Sequence, residues 1–455
     1  MAFVPQYILI LFALIGIDYT MARLIEQAHG HTRRTYLIIS ICATVGILFI
    51  FKYFNFFNAN IAALAQALHW QYSISALQLI LPLGLSFHTF QSLSYVIEVY
   101  RGKFAAERNI GVYALYVLFF PQLIAGPIER PQHLLTQLQR LEDVVFSSSA
   151  VASGIRLMAW GFFKKLVIAD RLAIAVDYVY AHSEVATGLS VVVAVVFFAF
   201  QLYADFSGYS DIARGTARVF GIELVRNFER PYFSASIAEF WRRWHISLSA
   251  WFRDYFYFPL VYAKQRATRP WLYVCVVTTF TVTGMWHGAG WTYIMMGWLF
   301  GTYIVLGMIT KQWRDRFVHL VGLDRIPRVH RVVQVMQTFV LVSVTWIFFR
   351  APDMHVASNL LTNLFTNWHL TFAQVLQNYF LTPYATLGFG RGELLLSLMG
   401  IGALVGTEYL QDTRPFLKNL DSSSWGTRSF AYSGLALAIV VFGVFTTKQF
   451  IYFQF

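Results

Sequence analysis

Acidic side chains are scarce in this chain. Only 23 Asp and Glu stand against 35 Lys and Arg, and charged residues of all four kinds make up 13% of the sequence. A water-soluble domain carries about 25%. With 57% hydrophobic residues beside it, this deficit excludes an ordinary soluble enzyme and puts the chain in the membrane class. Cysteine is nearly absent: Cys42 and Cys275 both fall in apolar runs, so no disulfide framework and no thiolate metal site is implied. The signatures of familiar catalytic classes are missing as well. There is no Gly-x-Ser-x-Gly elbow, no His-Glu-x-x-His, no paired metal-ligand spacing and no phosphate-cradling glycine loop. No metal site is expected.

Period-two alternation is lacking too. The apolar stretches are continuous, which argues against a β-barrel. In lipid each segment must satisfy its own backbone polar groups, so a helical bundle follows. The formal net charge of +12 sits mostly between the apolar runs. That is the pattern of cytoplasmic loops under the positive-inside rule, and no nucleic-acid partner is expected. No cleavable leader is visible. The first basic residue, Arg23, follows the first apolar run, so a retained first span with its N-terminus outside is expected.

What the chain does have is a series of apolar runs. Residues 3–20, 35–57, 187–204, 333–349, 394–410 and 430–446 read as spans, and residues 271–288 and 291–310 as a helical hairpin around Gly288, Ala289 and Gly290. Residues 59–75 carry no charge and suit a short helix in the outer interface. Residues 76–97 read as a span interrupted at Pro82 and Gly84. Residues 110–126 are short and hold Pro121 and Gly126, which suits a re-entrant segment. Residues 151–175 are amphipathic, with Lys164, Lys165 and Arg171. In residues 205–215, Asp205 and Asp211 gather where the preceding span ends, and read as helix-end or packing groups. In residues 127–131, Glu129 and Arg130 read as a structural turn whose two charges pair.

Basic clusters flank the hairpin: Lys264, Arg266 and Arg269 before it, and Lys311, Arg314, Arg316, Arg325, Arg328 and Arg331 after it. Both flanks therefore read as cytoplasmic, which puts residues 284–291 deep in the membrane or near its outer face. Residues 352–390, with Asp353 as their one acid and no Lys or Arg, suit the outside. The expectation is a single integral-membrane domain over residues 1–455, all-α and polytopic, with about nine to eleven membrane segments.

Residues 239–291 are the centre of the chain. Taken as one helix, residues 239–255 put Trp241, His245, Leu248 and Phe252 on one face, widened by Trp244, Trp251 and Tyr255. Arg243, Ser247, Ala250 and Asp254 fall opposite. Such a helix is too short to span and suits the cytoplasmic interface, with arginines snorkelling to water. Two readings of His245 stay open on pattern alone: a structural histidine in an aromatic cluster, or a reacting group. His287, between Trp286 and Gly288 after an apolar run, is either a pin between helices or a functional group at membrane depth. Gly284, Gly288 and Gly290 leave room for close approach. An uncharged imidazole beside a hydroxyl is a general base.

Long ordered motifs then carry a resemblance. Residues 82–102 (PLGLSFHTFQSLSYVIEVYRG), 119–131 (FFPQLIAGPIERP), 205–215 (DFSGYSDIARG), 227–260 (NFERPYFSASIAEFWRRWHISLSAWFRDYFYFPL) and 284–297 (GMWHGAGWTYIMMG) resemble the membrane-bound O-acyltransferase (MBOAT) family, in its bacterial alginate O-acetyltransferase-like branch. The closing FIYFQF, residues 450–455, is similar to alginate-type members. The resemblance implies a ring of helices, with re-entrant and interfacial helices, around a central tunnel. It implies that His287 matches the catalytic histidine and His245 the second polar residue of the site. Trp241, Trp244 and Trp286, with Arg242, Ser247 and Ser249, become the candidate tunnel and donor-binding residues. Relatives of alginate type begin with one or two further spans.

The implied reaction moves an acyl group, acetyl in the first instance, from a cytoplasmic thioester across the bacterial inner membrane. The acceptor is a hydroxyl of a cell-surface or secreted polysaccharide, or of a partner acetyltransferase. The donor, acetyl-CoA or an acyl carrier, is a substrate, and no permanently bound cofactor is implied. Membrane lipid, a periplasmic or extracellular acetyltransferase and polysaccharide machinery are the implied partners. D-alanyl transfer to teichoic acid is the nearest alternative. A lipid-linked sugar flippase would show two matching broken-helix halves, which do not appear. A structural subunit of a secretion complex would tolerate Asn or Gln at both histidines.

Overall fold

The computed structural model describes residues 5, 7–82, 84–368, 370–413, 424–445 and 450–451. Among them every regular element is helical. Among the described residues, seven helices are long and apolar enough to cross a membrane: Tyr7–Gln27, Gly30–Ala67, Gly188–Val219, Trp291–Ile309, Pro327–Arg350, Arg391–Leu410 and Trp425–Phe442. The all-α, multi-pass membrane class is therefore as the composition requires. The hairpin is present as Arg269–His287 and Trp291–Ile309. Its two helices pack very closely: a Cβ on Gly284 would stand 2.2 Å from the Tyr293 carbonyl oxygen, and one on Gly297 2.3 Å from that of Phe280. Small residues let helix backbones approach where lipid supplies no hydrophobic drive between them.

The long central helix Gly188–Val219 is mostly buried and packs along Ser148–Phe162 and Asp170–Ala181. Its apolar face belongs to the largest core cluster, with Phe198, Leu202, Trp244, Trp346 and Phe349. This corrects the expected end of the span near residue 204. The helix runs on because Asp205 and Asp211 have cationic partners inside the bundle: Lys165 reaches Asp205 at 2.6 Å and Asp170 at 2.9 Å, and Lys164 reaches Asp211 at 2.6 Å. Within residues 151–175, Lys164, Lys165 and Arg171 are buried and paired inside the bundle, Arg171 with Glu393.

Other boundaries also move. The second span continues past residue 57 to Ala67 through a π-helical turn, Phe49–Tyr53, because no Gly or Pro falls between residues 47 and 81 and its Ala-rich end favours helix. Asn55 and Asn58 on that end bond the irregular segment after it, at Leu77 and Ile74. The next helix starts only at Leu85, after Gly84 at φ +83°, where a Cβ would lie 2.6 Å from the Leu123 carbonyl. Ile110–Leu118 is nine residues long, about 14 Å, and is capped by the Asn109 side chain. Of the closing hexapeptide, residues 452–455 lie outside the described residues. Ile451 is buried, and its N–H donates to Asp205 Oδ2 at 2.7 Å.

Candidate active site

The single helix expected over residues 239–255 is in fact broken at its middle. Ile237–Arg243 and Ile246–Phe252 are separate helices. Trp244 between them is extended, and His245 takes the left-handed conformation at φ 42°, ψ 55°. A non-glycine residue held there costs about 1–3 kcal/mol, and such strain gathers at functional sites. The break is imposed from outside the segment. Glu229 N–H donates to the Arg243 carbonyl at 2.9 Å, and Ile246 N–H to the Asn227 carbonyl at 2.9 Å. Asn227 Oδ1 accepts from the Ser247 hydroxyl at 2.6 Å, and that hydroxyl accepts from Ile128 N–H at 2.9 Å. Ser236 caps the first helix by accepting from Glu239 N–H.

His245 is fully buried, and its ring meets Phe206 edge-on at 4.6 Å. His287 closes the helix Arg269–His287 and is 6% exposed. Trp286 stands beside both imidazoles, with ring centroids 6.2 Å from His245 and 4.8 Å from His287. Phe87 and Phe90 pack on the other sides of Trp286, at 5.5 Å and 5.0 Å, and Phe349 borders His287 at 5.4 Å. The fold thus brings together two imidazoles 42 positions apart in an aromatic box.

The remaining candidates divide. Trp241, Arg242 and Ser249 line one cavity of about 470 Å³, together with Arg253, Thr279 and Thr283. Thr283 lies one turn before His287, so this cavity runs along the histidine helix toward its end. Trp286 lines the imidazole box instead. Trp244 is 1% exposed and packs on Phe228, Trp346 and Phe240. The Ser247 hydroxyl is committed to Asn227 and Ile128. Glu129 and Arg130 do not pair with each other: Glu129 is held by His133 at 2.7 Å and Val225 N–H at 2.7 Å, and Arg130 by Asp254 at 3.0 Å. A second, polar cavity of about 550 Å³ is lined by Lys164, Asp211, Arg214, Arg226 and Glu408 among others. No cluster of three or more metal-ligating side chains occurs among the described residues.

Lys52 and Tyr53 escape a reading of histidine motifs. Both reach the end of the histidine helix, Lys52 Nζ donating to the Trp286 carbonyl at 2.7 Å and Tyr53 Oη to that of Met285 at 3.1 Å. The signal available in the sequence is that Lys52 is the one Lys, Arg, Asp or Glu across residues 35–75.

The described part of the chain is thus a multi-pass helical protein with two imidazoles buried against one tryptophan ring. The chain belongs to the MBOAT, membrane-bound O-acyltransferase family, whose model matches residues 108–350. It is an O-acyltransferase. It is 36% identical to the probable alginate O-acetylase AlgI of Azotobacter vinelandii over 79% of this chain and 70% of the relative. It is 32% identical to the peptidoglycan O-acetyltransferase of Helicobacter pylori over 79% of this chain and 70% of that protein. It is 29% identical to the teichoic acid D-alanyltransferase of Streptococcus thermophilus, over 49% of this chain and 56% of that protein.

Proposed function

We propose that the chain carries an acetyl group from a cytoplasmic thioester to a hydroxyl beyond the inner membrane. The acceptor in this reading is a cell-surface or secreted polysaccharide, or a partner acetyltransferase that passes the group on. The observation that carries it is the Trp286 ring against both His245 and His287. His287 takes the proton of the attacking hydroxyl as general base. The hydroxyl oxygen bonds to the thioester carbonyl carbon, the carbon–sulfur bond breaks, and the proton is returned to the departing thiolate. His245 positions the donor or relays that proton.

The apolar cavity along the histidine helix supports a donor entering from the cytoplasmic side. Trp241 and Ser249 wall it, and Arg242 and Arg253 on its lining offer guanidinium groups to a phosphate-bearing donor. Trp286, Phe87 and Phe90 exclude water and limit wasteful hydrolysis. The acceptor class follows the relatives named for alginate and peptidoglycan acetylation, which share more identity with this chain than does the D-alanyl relative.

The test is His287→Ala in cells that export the modified polymer, with O-acetyl content read by NMR. Protein amount and elution in detergent are followed in parallel. The variant is expected to insert and elute as the wild type and to leave the polymer unacetylated. Acetylation at the wild-type level rejects the assignment. Alanyl esters in place of acetyl esters on the wild-type product would move the donor to the aminoacyl class.

A further inference from the structure

The helix that ends in His287 has no ordinary C-terminal cap. Helices close their last carbonyls with a left-handed glycine and backbone bonds from the residues beyond. Here Gly288 follows in extended conformation at φ −163°, ψ 152°. Carbonyl groups left without donors at membrane depth cost several kcal/mol each by the usual transfer scale.

The three last carbonyls are instead met by side chains from a π-helical turn on another helix. Tyr53 Oη donates to Met285 O at 3.1 Å, and Lys52 Nζ donates to Trp286 O at 2.7 Å and to His287 O at 3.2 Å. The ammonium also lies 5.8 Å from the centroid of the Trp286 ring. The π-turn Phe49–Tyr53 is the wide turn from which both side chains reach, and such turns recur at functional sites.

A glycine cap would serve the backbone alone and would need no charge. It would also turn the chain away from the extended path through Gly288. Along that path only a glycine fits, because a Cβ on Gly288 would lie 2.1 Å from the Tyr293 ring. A lysine inside the apolar helix Gly30–Ala67 is costly to insert, and it is bonded to the carbonyls of Trp286 and His287, the residues that form the imidazole box. Its charge also opposes the negative end of the helix dipole beside His287.

We infer that Lys52 is a positioning residue for the transfer reaction: its ammonium caps the histidine helix from outside and fixes the His287 ring and the Trp286 wall in their reacting arrangement. Tyr53 completes the cap at Met285. The inference rests on His287 being the reacting base, as proposed above.

The experiment compares Lys52→Met, Lys52→Arg and His287→Ala in everted membrane vesicles given radiolabelled acetyl-CoA, with label counted in polymer. Hydrogen exchange of the 284–290 segment is measured on the same full-length proteins in detergent. Loss of charge-assisted hydrogen bonds at a site that must hold its geometry is expected to lower kcat by about 10–100-fold in Lys52→Met, with KM for the donor changed less than about twofold. The 284–290 amides are expected to exchange faster in that variant. Lys52→Arg, which keeps donors and charge, is expected to recover most of kcat and of the protection.

An unaltered kcat in Lys52→Met, or an exchange rate there equal to wild type, overturns the inference. So does a Lys52→Arg protein as slow as Lys52→Met while both elute as the wild type does. The two readings separate cleanly. If His287→Ala still transfers label, the base assignment falls. If His287→Ala is dead and Lys52→Met is normal, only the role of Lys52 falls.

Discussion

Gly161 and Gly208 meet backbone to backbone in the middle of the bundle. A Cβ on Gly161 would stand 2.6 Å from the Gly208 carbonyl oxygen, and one on Gly208 would stand 2.8 Å from that of Gly161. Two turns away, Gly154 and Gly215 repeat the arrangement at 2.5 and 2.6 Å. This contact sets the height at which Lys164 meets Asp211, so close packing and the buried ion pairs depend on each other. Gly208→Ala must push the helices apart. It is expected to cost about 1–3 kcal/mol of stability, seen as a lower melting temperature of the purified protein. An unchanged melting temperature would mean that the helices yield without cost.

The buried ion pairs should respond unequally to removal of either partner. Lys165 lies between Asp170 and Asp205. Lys165→Met removes the cation that both carboxylates share, a change of about 3–5 kcal/mol for buried pairs. Asp205→Asn leaves Lys165 with Asp170 and still offers an oxygen to Ile451 N–H, so its loss is expected to be clearly smaller. Denaturant or thermal unfolding of both variants in one detergent decides this. Equal losses would contradict it.

Much of this molecule is legible in its sequence, and the rest is hidden for identifiable reasons. The hairpin around residues 288–290 follows from two apolar runs and three small residues, and it forms where expected. The break at His245 does not follow, because the residues on both sides accept helix. It is set by Asn227 and Glu229, whose hydrogen bonds to residues 243–247 exist only once the chain has folded. The charges of the central helix mislead in the same way. Asp205 and Asp211 read as a helix end because their lysines come from a different run, about forty residues earlier. Lys52 is conspicuous as a cation among apolar residues, yet its carbonyl partner lies 234 positions away.

Ser247 separates a structural role from a donor-binding one. Its hydroxyl bonds Asn227 and Ile128, and Ser247 is not among the residues lining the cavity of Trp241, Arg242 and Ser249. Ser247→Ala is therefore expected to lower stability by about 1–3 kcal/mol through unsatisfied buried groups, while KM for the donor stays as it was. A raised KM with unchanged stability would return Ser247 to the donor site.

His133 supplies a pH signature outside the membrane segments. The Glu129 carboxylate bonded to its Nδ1 at 2.7 Å raises its pKa above the ordinary value of 6.5, against the opposing effect of partial burial. A raised folded-state pKa gives stability that is fully present below the unfolded value and is lost as pH climbs through the folded one. The margin in melting temperature of the wild type over His133→Gln is thus expected to be largest near about pH 6 and to shrink toward about pH 9. A margin that grows with pH would show the sign to be wrong.

Gly288 tests whether the end of the histidine helix is as tightly specified as its contacts imply. A Cβ there would lie 2.1 Å from Cε2 of Tyr293 and 2.4 Å from Cδ2. That ring also packs on Phe349, which borders His287. The methyl of Gly288→Ala must therefore move either the ring or the backbone next to His287. A misplacement of about 1 Å can cost about 100-fold in rate, so transfer is expected to fall steeply while the protein still inserts. Tyr293→Leu vacates part of the ring's volume. Combined with Gly288→Ala, it is expected to lose less activity than the two single losses multiplied, because both changes act through one contact. Strictly multiplicative losses would mean that Gly288 and Tyr293 act on the site separately, and that the ring does not transmit the clash to His287.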